Sequence, residues 1–267
     1  MKLFEDNMYI EPLFQKNRLV GKNKGCIQKG MYAVSNIDVN FTTTRMIQNE
    51  QQGMGDKMNG TREVKIVTAD PSAIGLFGLA IVTLVASSQK LGWTEGLSFV
   101  IPWAIFLGGI AQIYASILDT KLNNTFGATA FGAYGLFWLA VSTSWLMQMG
   151  VFGEILRDSV DTKQLGMVFL GYLIFTLFMT IGSMETNKVL FIDFVLIDLL
   201  FIGLTLSSFG IMEDAMHTLA AYSELLIAFV SLYGAGASVL NKHFGREFLP
   251  VGKPFYFFKS KQYRNAA

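Results

Sequence analysis

At 267 residues the chain is long enough for one or two domains. Its residues are 52% hydrophobic and only 15% charged, well below the ~25% of ordinary soluble domains, which argues against a soluble globular protein. A net charge of +1 with no long basic stripe argues against a nucleic-acid binder.

Residues 1–66 are polar, with Gly, Asn, Gln and Lys scattered and no sustained apolar period. Glu5, Asp6 and Glu11 interrupt any signal-peptide core, so the segment reads as a cytoplasmic N-terminal extension. It carries Cys26, the single cysteine, which reads as an ordinary thiol and excludes an internal disulfide framework. The two histidines, His217 and His243, lie far apart, so neither a metal centre nor a cofactor is expected.

From Ala73 onward the composition changes. Residues 66–240 hold only 17 charged side chains, and six apolar runs follow at about 73–91, 98–117, 126–147, 164–184, 189–210 and 217–240. A helix needs about 20 residues to cross ~30 Å of hydrocarbon, and each run meets that length. The runs are apolar around most of the helix, which makes lipid their surroundings. An all-α bundle of six transmembrane helices is expected over 67–250, with 251–267 as a cytoplasmic C-terminal tail. Positive charge is concentrated on the side holding Lys57, Arg62, Lys65, Lys121, Lys188, Lys242, Arg246 and Lys253, which predicts both termini in the cytoplasm of a multi-pass cell-membrane protein.

Gly108 and Gly109 sit in the second span, Gly127 to Gly135 carries small residues through the start of the third, and Gly234-Ala235-Gly236-Ala237 does so in the sixth. Small residues let helices approach closely in lipid, within the bundle or between protomers of a homo-oligomer; the other reading is room for a narrow path. Trp93, Trp138 and Trp145 read as interface or core aromatics.

Three segments carry a family resemblance. They are Ala69-Asp70-Pro71-Ser72-Ala73-Ile74-Gly75-Leu76-Phe77-Gly78; Gly108-Gly109-Ile110-Ala111-Gln112-Ile113 with Asn124-Thr125-Phe126-Gly127-Ala128-Thr129-Ala130-Phe131 and Tyr134-Gly135-Leu136-Phe137-Trp138; and Asn241-Lys242-His243-Phe244-Gly245-Arg246 with Leu249-Pro250-Val251-Gly252. Together they resemble the acetate uptake transporter family, of the succinate–acetate permease type. The first departs from that family's Asn-Pro-Ala-Pro-Leu-Gly-Leu signature at Asp70, Ser72, Ala73 and Ile74. The resemblance implies a hexamer with a path through each protomer. It also implies transport of acetate or a similar short monocarboxylate, or succinate, coupled to protons. A passive carboxylate-selective channel and a membrane carboxylate sensor are the alternatives. By resemblance, Gln112, Thr125 and Tyr134 line the path, and Leu79, Tyr134 and Ile197 form its apolar constriction.

The residues themselves supply further candidates. Asp70-Pro71-Ser72 is a helix start whose free N–H groups and positive dipole end suit an anion, or else a plain cap. Gln112, Asn124, Thr125, Thr129 and Tyr134 are neutral hydrogen-bonding groups clustered near the second and third spans. Asp119 and Lys121 read as a solvated cytoplasmic pair, with a gate as the alternative. Asp193, Asp198 and Glu224 are proton-relay candidates, because a carboxylate in mid-membrane costs about 2.5–3.5 kcal/mol on insertion scales and marks function. At ~1.5 Å per residue Asp198 lies ~13 Å deep from one side and Glu224 ~10 Å from the other. With no Lys or Arg inside any span, these two are expected to share a proton, as a relay or as a neutral pair joining helices. No nucleophile–base set or phosphate loop suggests an enzyme.

Overall fold

The computed structural model describes residues 68–258. The N-terminal extension, with Cys26, and the last residues of the tail lie outside it. Six long helices are present: α1 (Pro71–Lys90), α2 (Val100–Lys121), α3 (Thr125–Gln148), then, after a short α4 (Glu154–Asp158), α5 (Thr162–Ser183), α6 (Lys188–Ser208) and α7 (Glu213–Phe244). Each of the six is long and apolar enough to span a membrane. The bundle expected from the apolar runs is therefore present, with α7 extended well beyond its apolar part at both ends. The short α4 lies between two of the apolar runs and carries Glu154, Arg157 and Asp158.

The helices form a ring. α1 packs on α2, α2 on α3, α5 on α6, α6 on α7, and α7 returns to α1; a thinner contact joins α3 to α5. Close approach requires glycine at several places, two of which show how. α2 is π-helical over Ala104–Ala111, and a Cβ on Gly108 would stand 2.7 Å from Trp138 Cγ of α3. A Cβ on Gly203 of α6 would stand 2.6 Å from the Met216 carbonyl oxygen of α7. The small residues of α3 and α7 are likewise used within the protomer: Gly135 faces Ile113 and Gly234 faces Leu76. They let helices meet where no hydrophobic force separates protein from lipid.

The far half of the ring is filled by aromatic rings. Tyr134, Phe137, Tyr172 and Phe201 lie with centroids 4.9–6.5 Å apart, and Phe169 and Phe194 extend the cluster. Trp138 is buried beside Phe137 and touches Trp145, whereas Trp93 is exposed.

The described part of the chain after α7, to residue 258, packs back on the bundle. Gly245 ends α7 in the left-handed conformation at φ 63°, and the chain turns back. Asn241 then clamps it: its Oδ1 accepts from the backbone N–H of Phe248 (2.7 Å) and Leu249 (2.8 Å), and its Nδ2 donates to the Leu249 carbonyl. Val189 N–H donates to the Val251 carbonyl, and Phe255 N–H donates to that of Met184. The strap thus closes over the α5–α6 junction.

Candidate functional site

Three helices begin at one end of the ring, and each has a side-chain cap. Asp70 Oδ1 accepts from Ser72 N–H at 2.9 Å, with Pro71 in the first turn of α1. Asn124 Oδ1 accepts from Gly127 N–H at 3.2 Å, and Asn187 Oδ1 from Leu190 N–H at 2.9 Å. These side chains suit the task because a short acceptor before the first turn satisfies an N–H that the helix cannot. All three caps line the mouth of one cavity of about 550 Å³, together with Thr186, Asn241 and Lys242. Three positive dipole ends and a lysine therefore converge on the same opening.

Among the residues deepest on the cavity wall are Leu79 of α1, Tyr134 of α3 and Ile197 of α6, all buried. They stand eight or nine residues beyond their helix starts, ~12–14 Å along the axis and close to the middle of a ~30 Å hydrocarbon layer. The Tyr134 ring is held among Tyr172, Phe175, Phe194 and Phe201, and its hydroxyl bonds Thr176 Oγ1 at 2.8 Å. Phe137, Phe169, Tyr172 and Phe201, packed in the same aromatic cluster, are not part of the cavity wall. The arrangement is a vestibule with capped helix starts at one end and buried apolar and aromatic side chains at its deep end.

Of the residues singled out from sequence, Leu79, Gln112, Tyr134 and Ile197 come together on this cavity, as do Asp70, Ser72 and Asp193. Pro71 is buried behind its helix start. Thr125 and Thr129 are not on it. They are exposed and line a shallow depression with Thr120, Asn123 and Ala128, because the face of α3 carrying Phe126, Ala130 and Tyr134 is the one turned inward.

Asp119 departs from the expected solvated pair with Lys121. It is buried, accepts from Asn124 Nδ2 at 2.8 Å and lines the cavity, whereas Lys121 is exposed. The helical turn between α2 and α3 folds Asn124 back over it.

The expected sharing of a proton between Asp198 and Glu224 is also corrected. Similar depth did not make them partners, because they face different neighbours. Asp198 Oδ2 accepts from Thr180 Oγ1 of α5 at 2.7 Å. Glu224 Oε2 receives the Lys90 ammonium from α1 at 2.6 Å. Lys90 stands at the end of its span, but α7 runs past that end, so a four-carbon stem reaches a carboxylate 11 residues into the neighbour. Neither acid lines the cavity. The third candidate, Asp193, does, and its Oδ2 accepts from Ser231 Oγ of α7 at 2.8 Å. No cluster of His, Cys, Asp or Glu suited to a metal occurs among the described residues.

Sequence reading missed the Lys90–Glu224 pair, the burial of Asp119, and the contribution of Asn187, Asn241 and Lys242 to the mouth. Asn187 was recoverable: an Asn immediately before an apolar run is a helix-start signal. The others depend on which helices are neighbours.

Comparison with known proteins agrees with this architecture. The chain is 35% identical over 187 residues to the succinate-acetate/proton symporter SatP of Escherichia coli, covering 69% of this chain and 96% of that protein. It is 27% identical over 195 residues to acetate permease A of Emericella nidulans, covering 68% and 65% respectively. The structure of the bacterial acetate channel SatP superposes with a TM-score of 0.65 at 34% identity, covering 70% of this chain and all of that one. The profile of the GPR1/FUN34/yaaH family matches residues 55–251, most of the chain including all six spanning helices, and the protein belongs to that family.

Proposed function

We propose that this protein carries acetate, or a monocarboxylate of similar size, across the cell membrane together with protons. The observation that carries the reading is the vestibule, lined by three capped helix starts and Lys242 at its mouth and by buried Leu79, Tyr134 and Ile197 at its deep end, which would form an apolar neck. Convergent N–H dipoles attract a carboxylate without a buried cation at the neck. The apolar neck then disfavours bulky or multiply charged solutes, since unpaired charge is costly to desolvate. The symporter and acetate permease named among the relatives support the same substrate class.

The positive-inside bias supports a mouth on the cytoplasmic side, with both termini there. A homo-oligomer, six by resemblance, fits the exposed apolar faces of α2 and α5. Labelled-acetate uptake into liposomes holding the purified protein, with and without a pH gradient, tests the reading. Uphill uptake driven by the gradient is expected; dissipative flux alone would assign a passive channel, and no acetate flux would refute the function.

A further inference from the structure

The vestibule holds three buried polar side chains whose hydrogen bonding is incomplete, Asp119 near the mouth and two deeper. Asp193, 2% exposed, is engaged at Oδ2 by Ser231, while its Oδ1 has no partner among the described residues. Gln112, 1% exposed, has no partner for Nε2. Both line the cavity. Asp193 lies one helical turn below Ile197 of the neck, on the same face of α6. Gln112 follows the π-helical stretch of α2, nine residues before its end. Measured along their helices from the capped end, Asp193 is ~8 Å deep and Gln112 ~14 Å. The two line the same vestibule about 6 Å apart in depth, one offering an acceptor and the other a donor.

Leaving such groups unmatched costs roughly 1–3 kcal/mol each, so the pair calls for a ligand of complementary pattern. A carboxylate has only acceptor oxygens and would meet Asp193 as a second anion. Asp119 Oδ2, nearer the mouth, is a further unmatched acceptor and adds to that opposition. An undissociated carboxylic acid has one donor and one acceptor on the same carbon. It offers the donor that Asp193 Oδ1 lacks and the acceptor that Gln112 Nε2 lacks.

Resting on the transport reading above, we propose that Asp193 and Gln112 form the site that binds the acid with its proton: the substrate O–H donates to Asp193 Oδ1, and the substrate carbonyl accepts from Gln112 Nε2. Whether the proton stays on the substrate or sits on Asp193, the two carboxyls share one proton, and no other atom changes hands. Ser231 Oγ–H holds Oδ2 in both forms. The other titratable groups on the cavity wall are Asp70 on the cap of α1, Asp119 on α2, Tyr134 on α3 and Lys242 on α7; α5 contributes none. Asp70 and Lys242 are at the mouth, where solvent screens them. The capped helix starts draw in the anion, and Asp193 supplies the place where it becomes neutral before the apolar neck.

The test is calorimetric acetate binding to the purified full-length protein in buffers of different ionisation heat, which reports the protons taken up per acetate. Wild type is expected to bind about one proton with each acetate. In Asp193→Asn the amide donates to a carboxylate as the neutral acid would, so acetate still binds but proton uptake falls to near zero. The same variant in liposomes loses accumulation driven by a pH gradient. Asp193→Val and Gln112→Met each remove one hydrogen-bonding group and are expected to weaken acetate binding about tenfold, with the proton count unchanged in Gln112→Met. Undiminished proton uptake or uphill transport in Asp193→Asn overturns the assignment. So does wild-type affinity in Gln112→Met, which keeps the proposal open to refutation should the Asp193 variants fail to assemble. A wild-type protein that neither binds nor moves acetate refutes the transport reading instead.

Discussion

Tyr134 combines two roles that substitution can separate. Its ring lines the vestibule at the proposed neck, and its hydroxyl ties α3 to α5 through Thr176. Tyr134→Phe should cost about 1 kcal/mol of stability and leave the acetate-to-butyrate uptake ratio unchanged, since the ring is retained. Tyr134→Ala should cost about 3–5 kcal/mol and shift that ratio toward butyrate. A ratio that stays put in well-folded Tyr134→Ala would place the selecting constriction elsewhere. The Lys90–Glu224 pair makes a second case at this scale. Glu224 is buried, so Lys90→Met strands a charge and should cost about 3–5 kcal/mol, read as a lowered unfolding midpoint in detergent. Lys90→Met with Glu224→Leu should recover most of the loss, because two apolar side chains need no mutual neutralisation. A double variant as unstable as the single one would mean that the ion pair contributes net stability.

Among the elements, the C-terminal strap depends most visibly on one side chain. Asn241 occupies both its oxygen and its nitrogen in fastening residues 248 and 249, on a face that also lines the vestibule. Asn241→Ala leaves two backbone N–H groups without their acceptor. The expected result is faster hydrogen exchange at Phe248 and Leu249 and easier proteolysis around Val251, with the α1–α7 contact preserved. Protection equal to wild type would show that Tyr233, whose hydroxyl donates to the Pro250 carbonyl, suffices to hold the strap. The glycine contacts behave differently. At Gly203 the obstacle is α7 backbone, which cannot rotate away as a side chain can. Gly203→Val should therefore separate α6 from α7, destabilise the protein by about 1–3 kcal/mol or more, and reduce acetate flux, as melting and uptake assays will record.

On the scale of the whole molecule, the ring leaves broad apolar surface outside. Met167, Ile174, Phe178 and Ile181 of α5, and Phe106, Ile110 and Tyr114 of α2, are exposed. Gly135 of α3 and Gly234 of α7 are used inside the protomer, and the exposed α2 and α5 faces offer larger side chains for association between copies. Native mass spectrometry in mild detergent is expected to show a hexamer, and substitutions by Ser along the exposed α5 face should dissociate it. Monomers throughout would leave that surface to lipid alone.

What the sequence by itself determined was the number of spans, their approximate limits and the capped start of α1. Those follow from local physics: uninterrupted apolar length must match the bilayer, and an Asp before a Pro meets the needs of unpaired N–H groups within one turn. The motif resemblance also pointed to Leu79, Gln112, Tyr134 and Ile197, which the fold gathers on one cavity. Tertiary structure alone decided which polar groups meet. Thr125 and Thr129 share a helix with Tyr134 yet face outward, since helix rotation is set by packing against α2 and α5. Asp198 and Glu224 have nearly equal depth and no bond between them, because depth fixes one coordinate and the order of helices around the ring fixes the others. Lys90 reaches Glu224 for the same reason: α1 and α7, at opposite ends of the spanning sequence, are neighbours only once the ring has closed.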